Sequence, residues 1–480
     1  MTELGIPSPT LSGIQVFRAK IWARTQVFFT IYLTLYTIAI MLQIYLPSYL
    51  TLKSSQMLSF LVEDGWCDPA TQGIGAHCFG DFYSAVRFAN LDSPWSDKTF
   101  PWPLPMPPLD LFILKPFRTI LSHSSASRTS LFLYLTLCII SVLIPAIHAR
   151  VTGRLSNFHA VALGAFSLLA APVLMAIDRG NNQLLIIPLL YFFLLSALEA
   201  RSNRMFFIGV MLVLFKPQMI VLGGVFLIHR EWKSLFRFTV VSLSLFFGSF
   251  LLYPVNFLGN IRAFVAQLTA YQSYSIPGQI VPVNLSLPNF WSWLQNNSFF
   301  HIHANPDPTY PYYSIVITFL IFALVGVNLV LFGRRRRFMV NALIILMLPI
   351  LLPSTTYAYY LCILVPVAIL VFADGMSHAS GSGTFIRSKQ YSDSAPLFML
   401  LEKRYIAISL AVTFYLLFIP WAIPWSLFSK FHSEPWSFIG INWIFGQISL
   451  VLFFLLLLCS GVKSNRLRLS SFTKKGTISQ

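Results

Sequence analysis

One acid is set apart by its surroundings. Asp81 lies in Gly80-Asp81-Phe82-Tyr83-Ser84-Ala85, with Arg87 one helical turn beyond Tyr83, inside the first long polar break of a mostly apolar chain. A carboxylate at such a break suits general-base work, because an attacking hydroxyl must lose its proton in the transition state and a carboxylate within about 2.6 to 3.2 Å accepts it. Glu63, Asp64, Asp68, Asp92, Asp97 and Asp110 share the break, and most of them read as surface or interface residues. The structural alternative for Asp81 is a helix N-cap ahead of FYSAVRFA.

The second residue of interest is Lys216, in LFKPQ, between two apolar halves of about ten residues each in the segment 204–233. A lysine at the centre of a membrane helix costs roughly 2.5 to 3.5 kcal/mol unless it faces water or an anion; the alternative is a side chain snorkelling to the interface. His301 and His303 are two apart and need further ligands to hold a metal, so they read as loop surface. Asn284 and Asn296 open N-x-S sequons. The sequence holds no Ser/His/Asp arrangement, no reactive cysteine setting and no phosphate-binding glycine loop, which argues against nucleotide-driven transport and a nucleotide-sugar donor.

The elements that must position these residues are set by composition. With 56% hydrophobic residues, 10% charged and a mean hydropathy of +0.70, the chain lies far from the soluble norm of about 25% charged. Apolar runs of about 20 residues recur from 27 to 461, each long enough to cross a core of roughly 30 Å as a helix. The expected class is therefore an all-α polytopic membrane protein. No cleavable signal peptide is evident after the 26-residue N-terminal tail. The net charge of +17 would suggest nucleic acid in a soluble protein, but 23 of the 33 basic residues fall on segments that alternate with the others. The positive-inside rule explains them and places both termini in the cytoplasm, with no nucleic-acid partner.

Expected spans run at about 27–49, 129–148, 157–177, 184–200, 236–253, 312–332, 339–353, 359–373, 405–423 and 440–461, with 204–233 as a re-entrant hairpin or two short helices meeting at Lys216, Pro217 and Gln218. That makes about 10–12 transmembrane helices. Residues 1–26 form a cytoplasmic tail and 27–373 the core, with external loops at 50–127 and 254–311; a flexible insert (374–403), two last helices (404–462) and a basic tail (463–480) follow. In the first loop, 83–91 and 109–121 suit interfacial helices, separated by the proline-rich 101–109. Cys67 and Cys78 share that loop, where a bridge between them is an option, whereas Cys138, Cys362 and Cys459 read as core. The concentrated polar, non-basic sequence is external, so an active site is expected to face outward.

GDFYSAVRFA followed by a proline-rich PPL segment, a Gly/Asn/Gln turn, LFKPQ, HREWK, an external VNLSL and a tyrosine-rich turn before a late span occur in that order over about residues 25 to 375. On these motifs the chain resembles the GT-C superfamily of membrane glycosyltransferases, and most of all glycosyltransferase family 87, the polyprenyl-phosphate-mannose-dependent mannosyltransferases and their bacterial relatives. The resemblance implies a GT-C-like bundle in a bacterial plasma membrane. It implies transfer of a mannose-like hexose from a polyprenyl-phosphate donor to a lipid, glycan or glycolipid acceptor at the outer face, with inversion and Asp81 as base. Lys216, Arg87 and Arg179, with Arg262 behind them, then serve the phosphate leaving group. Tyr83, Asn181, Asn182, Gln183, Gln218, Asn284, Tyr357, Tyr359 and Tyr360 complete the substrate site. No metal and no cofactor is implied. A flippase or transporter of a lipid-linked glycan is the alternative from another class, and a polysaccharide ligase or polymerase a third reading.

Overall fold

The structure is a computed structural model that describes residues 79–96, 105–117, 126–199, 201–274, 284–288, 290, 310–335, 338–353, 356–370, 373, 404–419 and 441–460, with parts of the first apolar run between 30 and 41. Cys67, Cys78, His301, His303, Asn296, Glu63, Asp64, Asp68, Asp97, the 374–403 insert and both tails lie outside the described residues. Among those described, the regular structure is helical, and the extended pairing is a single bridge between Asn284 and Tyr357.

Among the described residues, two helices are long and apolar enough to cross a membrane. One is Thr129–Val151 within α3 (Ala126–Val151). The other is Trp232–Leu252, made of α9 (Trp232–Gly248) and its 3-10 extension. A third candidate is broken: α4 (Asn157–Leu169) and α5 (Ala171–Arg179) meet at 56°. Ala170 takes ψ 133 there and Pro172 stands in the first turn of α5. The extended ψ of Ala170 ends α4, and Pro172 suits the first turn of a new helix, where its missing N–H is not needed. The expected single span at 157–177 is thus two helices.

Further apolar helices lie at most of the other expected positions. They are α6 (Ile187–Leu198) after a 3-10 turn at Asn182–Ile186, α11 (Tyr310–Phe332), α12 (Phe338–Leu351), a 3-10 segment at Ala358–Leu364 that continues to Leu370, α13 (Arg404–Phe418) and α14 (Ile441–Cys459). Cys138 and Cys362 are buried as expected, but Cys459, at the last residue of α14, is exposed.

The segment around Lys216 folds back on itself. α7 (Ser202–Phe215) leads up to it, and a 3-10 stretch (Pro217–Gly223) and α8 (Gly224–His229) lead away. Phe238 of α9 lies 6.3 Å from the ring of Phe206 on one arm and 5.6 Å from that of Phe226 on the other. Twenty residues of straight helix would separate those positions by about 30 Å, so the two arms run antiparallel. Gly209 and Gly223, one on each arm, leave room for the same ring: a Cβ there would come 2.9 Å and 3.4 Å from Phe238.

The helices consequently have two ends. At one, Arg154 and Arg201 pair with Glu199 at 3.1 and 3.0 Å, and Arg334 donates to the carbonyl of His229. At the other lie Tyr134 near the start of α3, the end of α5 and the Lys216 turn. From Tyr134 to Arg150 along α3 is about 24 Å at 1.5 Å per residue. The loop helices α1 (Gly80–Ala89) and α2 (Pro108–Phe112) cover that second end, as the interfacial reading expected helices there. They are locked on by Trp95, whose Nε1 donates to Met106 O at 3.0 Å and whose ring packs against Phe250, Tyr253 and Phe264. Phe264 belongs to α10 (Phe257–Tyr274), a helix within the stretch expected as the external loop 254–311. Its Gln267 and Asn260 bond the carbonyls of Trp95 and Asp92, so α10 clamps the loop down.

Candidate functional site

α1 turns its apolar stripe, Phe82, Ala85, Val86 and Ala89, into the bundle. These positions recur at the i, i+3, i+4, i+7 spacing of one helix face. Each residue advances about 100° around the axis. Asp81 therefore projects along one flank of that stripe, and Tyr83 and Arg87 project from the far side. Both of those are exposed, Tyr83 at 39%, and the structure does not bring them to Asp81. Nor does Asp81 cap the helix: the position before α1 is Phe79, with φ 46 and no side-chain bond.

The Asp81 carboxylate is spent on residues about a hundred positions away. Arg179, the last residue of α5, donates Nε to Oδ2 at 2.8 Å and Nη2 to Oδ1 at 2.9 Å, and Asn181 Nδ2 adds a bond to Oδ2 at 2.6 Å. Gly180 makes this approach possible. It takes φ 65 as the cap of α5, and a Cβ on it would stand 2.7 Å from Phe82 Cβ, so α1 docks directly against the turn. Tyr134 stacks on Phe82 at 4.6 Å and donates to the carbonyl of Gly180 at 3.1 Å, fastening the same joint.

A second pair lies deeper. Lys216 Nζ donates to Asp110 Oδ2 and Asn182 Oδ1, both at 2.9 Å. The adjacent residues Asn181 and Asn182 thus each serve one pair and bring the two together. Asp110 corrects the sequence reading, which grouped it with surface acids: it is 1% exposed. Pro108 opens α2 and Leu111 buries against the core, which drives the intervening carboxylate inward, where an uncompensated charge is expensive and Lys216 neutralises it.

Tyrosines frame the cations. The Arg179 guanidinium lies 5.2 Å from the ring centres of both Tyr357 and Tyr359, which stack on each other at 5.9 Å, and Tyr360 stacks on Tyr359 at 5.0 Å. Gln218 donates to Tyr360 Oη at 3.4 Å. Tyr271 of α10 lies within electrostatic reach of Asp81, Arg179, Tyr357 and Tyr360. Asn284 belongs to the scaffold of this turn: its buried Oδ1 accepts from Ser286 N at 3.1 Å and Thr356 N at 2.9 Å, while Leu285 N donates to Thr356 O at 2.7 Å. Gln447 of α14 donates to Ser286 O at 3.0 Å, so the last helix braces the tyrosine turn through Asn284.

Of the expected site residues, Asp81, Arg179, Asn181, Asn182, Lys216, Gln218, Tyr357, Tyr359 and Tyr360 assemble, with Asn284 behind them; Arg262 is exposed on α10. Gln183 is fully buried with neither amide atom hydrogen-bonded. Asp110, Tyr134, Tyr271 and Gln447 were not singled out as site residues. Only the position of Asp110 between Pro108 and the apolar LFIL run hinted at burial.

The acids differ in proton affinity. Burial pushes Asp81 up, but the Arg179 charge, its hydrogen bonds, that of Asn181 and the field of Lys216 outweigh it, and the carboxyl is held below the usual range. At Asp110 burial outweighs the attraction and hydrogen bond of Lys216, and the carboxyl is pushed up. Chemically, the arrangement offers one partly exposed carboxylate, two cations already matched by acids, and an aromatic wall.

Comparison with protein-family models, curated proteins and solved structures gives no match for this chain.

Proposed function

We propose that this chain is a polytopic membrane glycosyltransferase of the GT-C type, with ten to twelve crossings, working at the outer face of a bacterial plasma membrane on a polyprenyl-phosphate hexose. The observation that carries the reading is the convergence of Asp81, Arg179, Lys216 and the tyrosines 357, 359 and 360 at the end of the bundle opposite the basic clusters. In the reaction, an acceptor hydroxyl oxygen attacks the anomeric carbon, the bond from that carbon to the phosphate oxygen breaks, and the hydroxyl proton passes to Asp81. One displacement inverts the centre. Arg179 and Lys216 meet the phosphate charge, and the tyrosine faces suit the apolar side of a pyranose.

Membranes carrying the full chain, incubated with radiolabelled polyprenyl-phosphate sugars, test this. Transfer is expected with the wild type, and a loss of about 10² to 10⁴-fold with Asp81→Asn, the contribution of a general base. Full activity in the variant removes Asp81 from the mechanism. One observation favours a carrier instead: the Asp110–Lys216 pair is buried among the helices, a setting in which charged residues also mark transport pathways. Flipping of a lipid-linked glycan without transfer from any lipid donor would select it.

A further inference from the structure

Asp81 is tied in a way that a working base cannot be. It accepts the Arg179 fork at 2.8 and 2.9 Å and the Asn181 bond at 2.6 Å, and an anionic ligand would find both nearby cations already matched by acids. Resting on the glycosyl-transfer reading above, we propose that Arg179 is a switch shared between Asp81 and the ligand: a phosphate that takes the Arg179 fork releases the Asp81 carboxylate, so that the base is armed only when an anionic donor is bound.

Three features of the geometry support this. First, Arg179 does not depend on Asp81 for its place. It ends α5 at the Gly180 cap, and its guanidinium lies against two stacked tyrosine faces, at 5.2 Å from each. Second, the Asp81 carboxylate is the more open of the two acids. The Asp81 side chain is 18% accessible and that of Asp110 is 1%, so a ligand can reach the Asp81 edge of its pair, whereas the Asp110 carboxylate stays covered. Third, a guanidinium presents five N–H donors in a planar fork that fits phosphate as well as carboxylate. The Asp81 contacts use the Nε and Nη2 edge.

The electrostatic consequence follows from what surrounds the carboxylate. Arg179 and Asn181 from the α5 turn and Lys216 from the hairpin act on it directly, and Tyr134 from α3, Tyr271 from α10 and Tyr359 and Tyr360 from the late turn lie within its field. Burial alone favours the protonated form, and the cations oppose it. Once phosphate neutralises Arg179, burial prevails and the carboxylate takes up a proton more readily. That is the change a base needs when it accepts one from a hydroxyl.

Infrared difference spectroscopy on the purified full-length protein in detergent tests the switch, with Asp81→Asn as the blank that assigns the carboxylate bands. Polyprenyl phosphate, inorganic phosphate and polyprenol are the three probes, and binding of each is followed separately by radiolabel retention. The expected result is that polyprenyl phosphate shifts the Asp81 bands from the Arg-paired form and raises the proton affinity of Asp81 about tenfold or more, roughly one pKa unit. Polyprenol should leave the bands unchanged, and Arg179→Lys, which lacks the fork, should show the released bands without any probe. Release by inorganic phosphate to the same extent would support the switch while removing the lipid donor from the reading above. Retention of polyprenyl phosphate with unchanged bands would overturn the switch and leave that reading intact. Release by polyprenol would also overturn it, and retention of neither phosphate would overturn both. If Arg179→Lys does not give a monodisperse protein, the three probes on the wild type decide alone.

Discussion

The two acid–cation pairs at the site are built from the same ingredients and behave in opposite ways. Asp81 is bound by a bidentate guanidinium and an amide at the edge of the bundle, and its carboxyl is held low. Asp110 is bound by one ammonium in the interior, Oδ1 makes no hydrogen bond, and its carboxyl is pushed up. Two fork bonds hold a carboxyl below the usual range, whereas a single ammonium contact does not offset complete desolvation. The outer pair is therefore suited to exchange partners with a ligand, and the inner pair to hold the loop helix α2 onto the Lys216 turn.

The largest effect expected from breaking this contrast is at the inner pair. Lys216→Met leaves Asp110 buried without its cation and should cost about 3 to 5 kcal/mol, read as a drop in the thermal unfolding temperature of the purified protein. Adding Asp110→Leu should restore most of it, since replacing both charges by apolar groups is often neutral or better; no recovery in the double variant would mean that the pair is not what the single change breaks.

Gly180→Ala should come next. The φ of 65 alone costs about 1 to 2 kcal/mol for a residue with a Cβ, and the contact at 2.7 Å from Phe82 must also be relieved by moving α1. Stability and transfer activity should therefore fall together, with the Asp81–Arg179 fork disrupted. Wild-type transfer by the Gly180→Ala variant would show that docking of α1 on this turn is dispensable.

Gln447→Leu acts at one remove. It removes a bond to Ser286 O and leaves that carbonyl buried, which should cost about 1 to 3 kcal/mol. If the brace matters to the tyrosine turn, KM for the lipid donor rises more than kcat falls, and Gln447→Asn recovers little because its amide is one methylene short. A fall in apparent kcat with KM unchanged, as lost folded protein gives, would reduce Gln447 to a structural residue.

The smallest effect is on pH dependence, and the two acids should differ in sign. A carboxyl held below its ordinary value of about 3.9 contributes stability that is present above that value and lost as pH falls through the lowered one. A carboxyl pushed up contributes stability that is present below about 3.9 and lost as pH rises through the raised one. Acidification below about pH 4 should therefore destabilise the wild type relative to Asp81→Asn. Raising the pH from about 4 should destabilise it relative to Asp110→Asn. The slope in each case is at most about 1.4 kcal/mol per pH unit for one proton. The same sign for both variants in thermal unfolding would erase the contrast.

Much of the scaffold was legible in the sequence because apolar run length and charge placement are local properties. The runs at 129–148 and 236–253 are the helices Thr129–Val151 and Trp232–Leu252, and LFKPQ is where the hairpin turns. The break at Ala170 was not legible from Pro172 alone, since Pro145 and Pro349 lie within unbroken helices. α10 was not: Arg262, Asn260 and Gln267 interrupt its hydropathy, and its buried Asn260 and Phe264 make sense only against the loop it clamps.

At the site, residue types were readable and partnerships were not. Asp81 was found from its place in a polar break, but Arg179 and Asn181 became its partners only because α5 ends in a glycine that admits Phe82. Tyr83 and Arg87, neighbours of Asp81 in sequence, leave it because a helix turns about 100° per residue. Asp110 and Lys216 are 106 residues apart, and no local pattern signals that a carboxylate will find its cation across that distance.

By itself, the sequence determined a helical, apolar chain with separated basic segments and polar loops, since those follow from transfer free energies and periodicity along the chain. Only the tertiary structure decided which carboxylate is poised and which is locked away. A proton's affinity is set by the charges and solvent within a few ångströms, and those are brought together by folding.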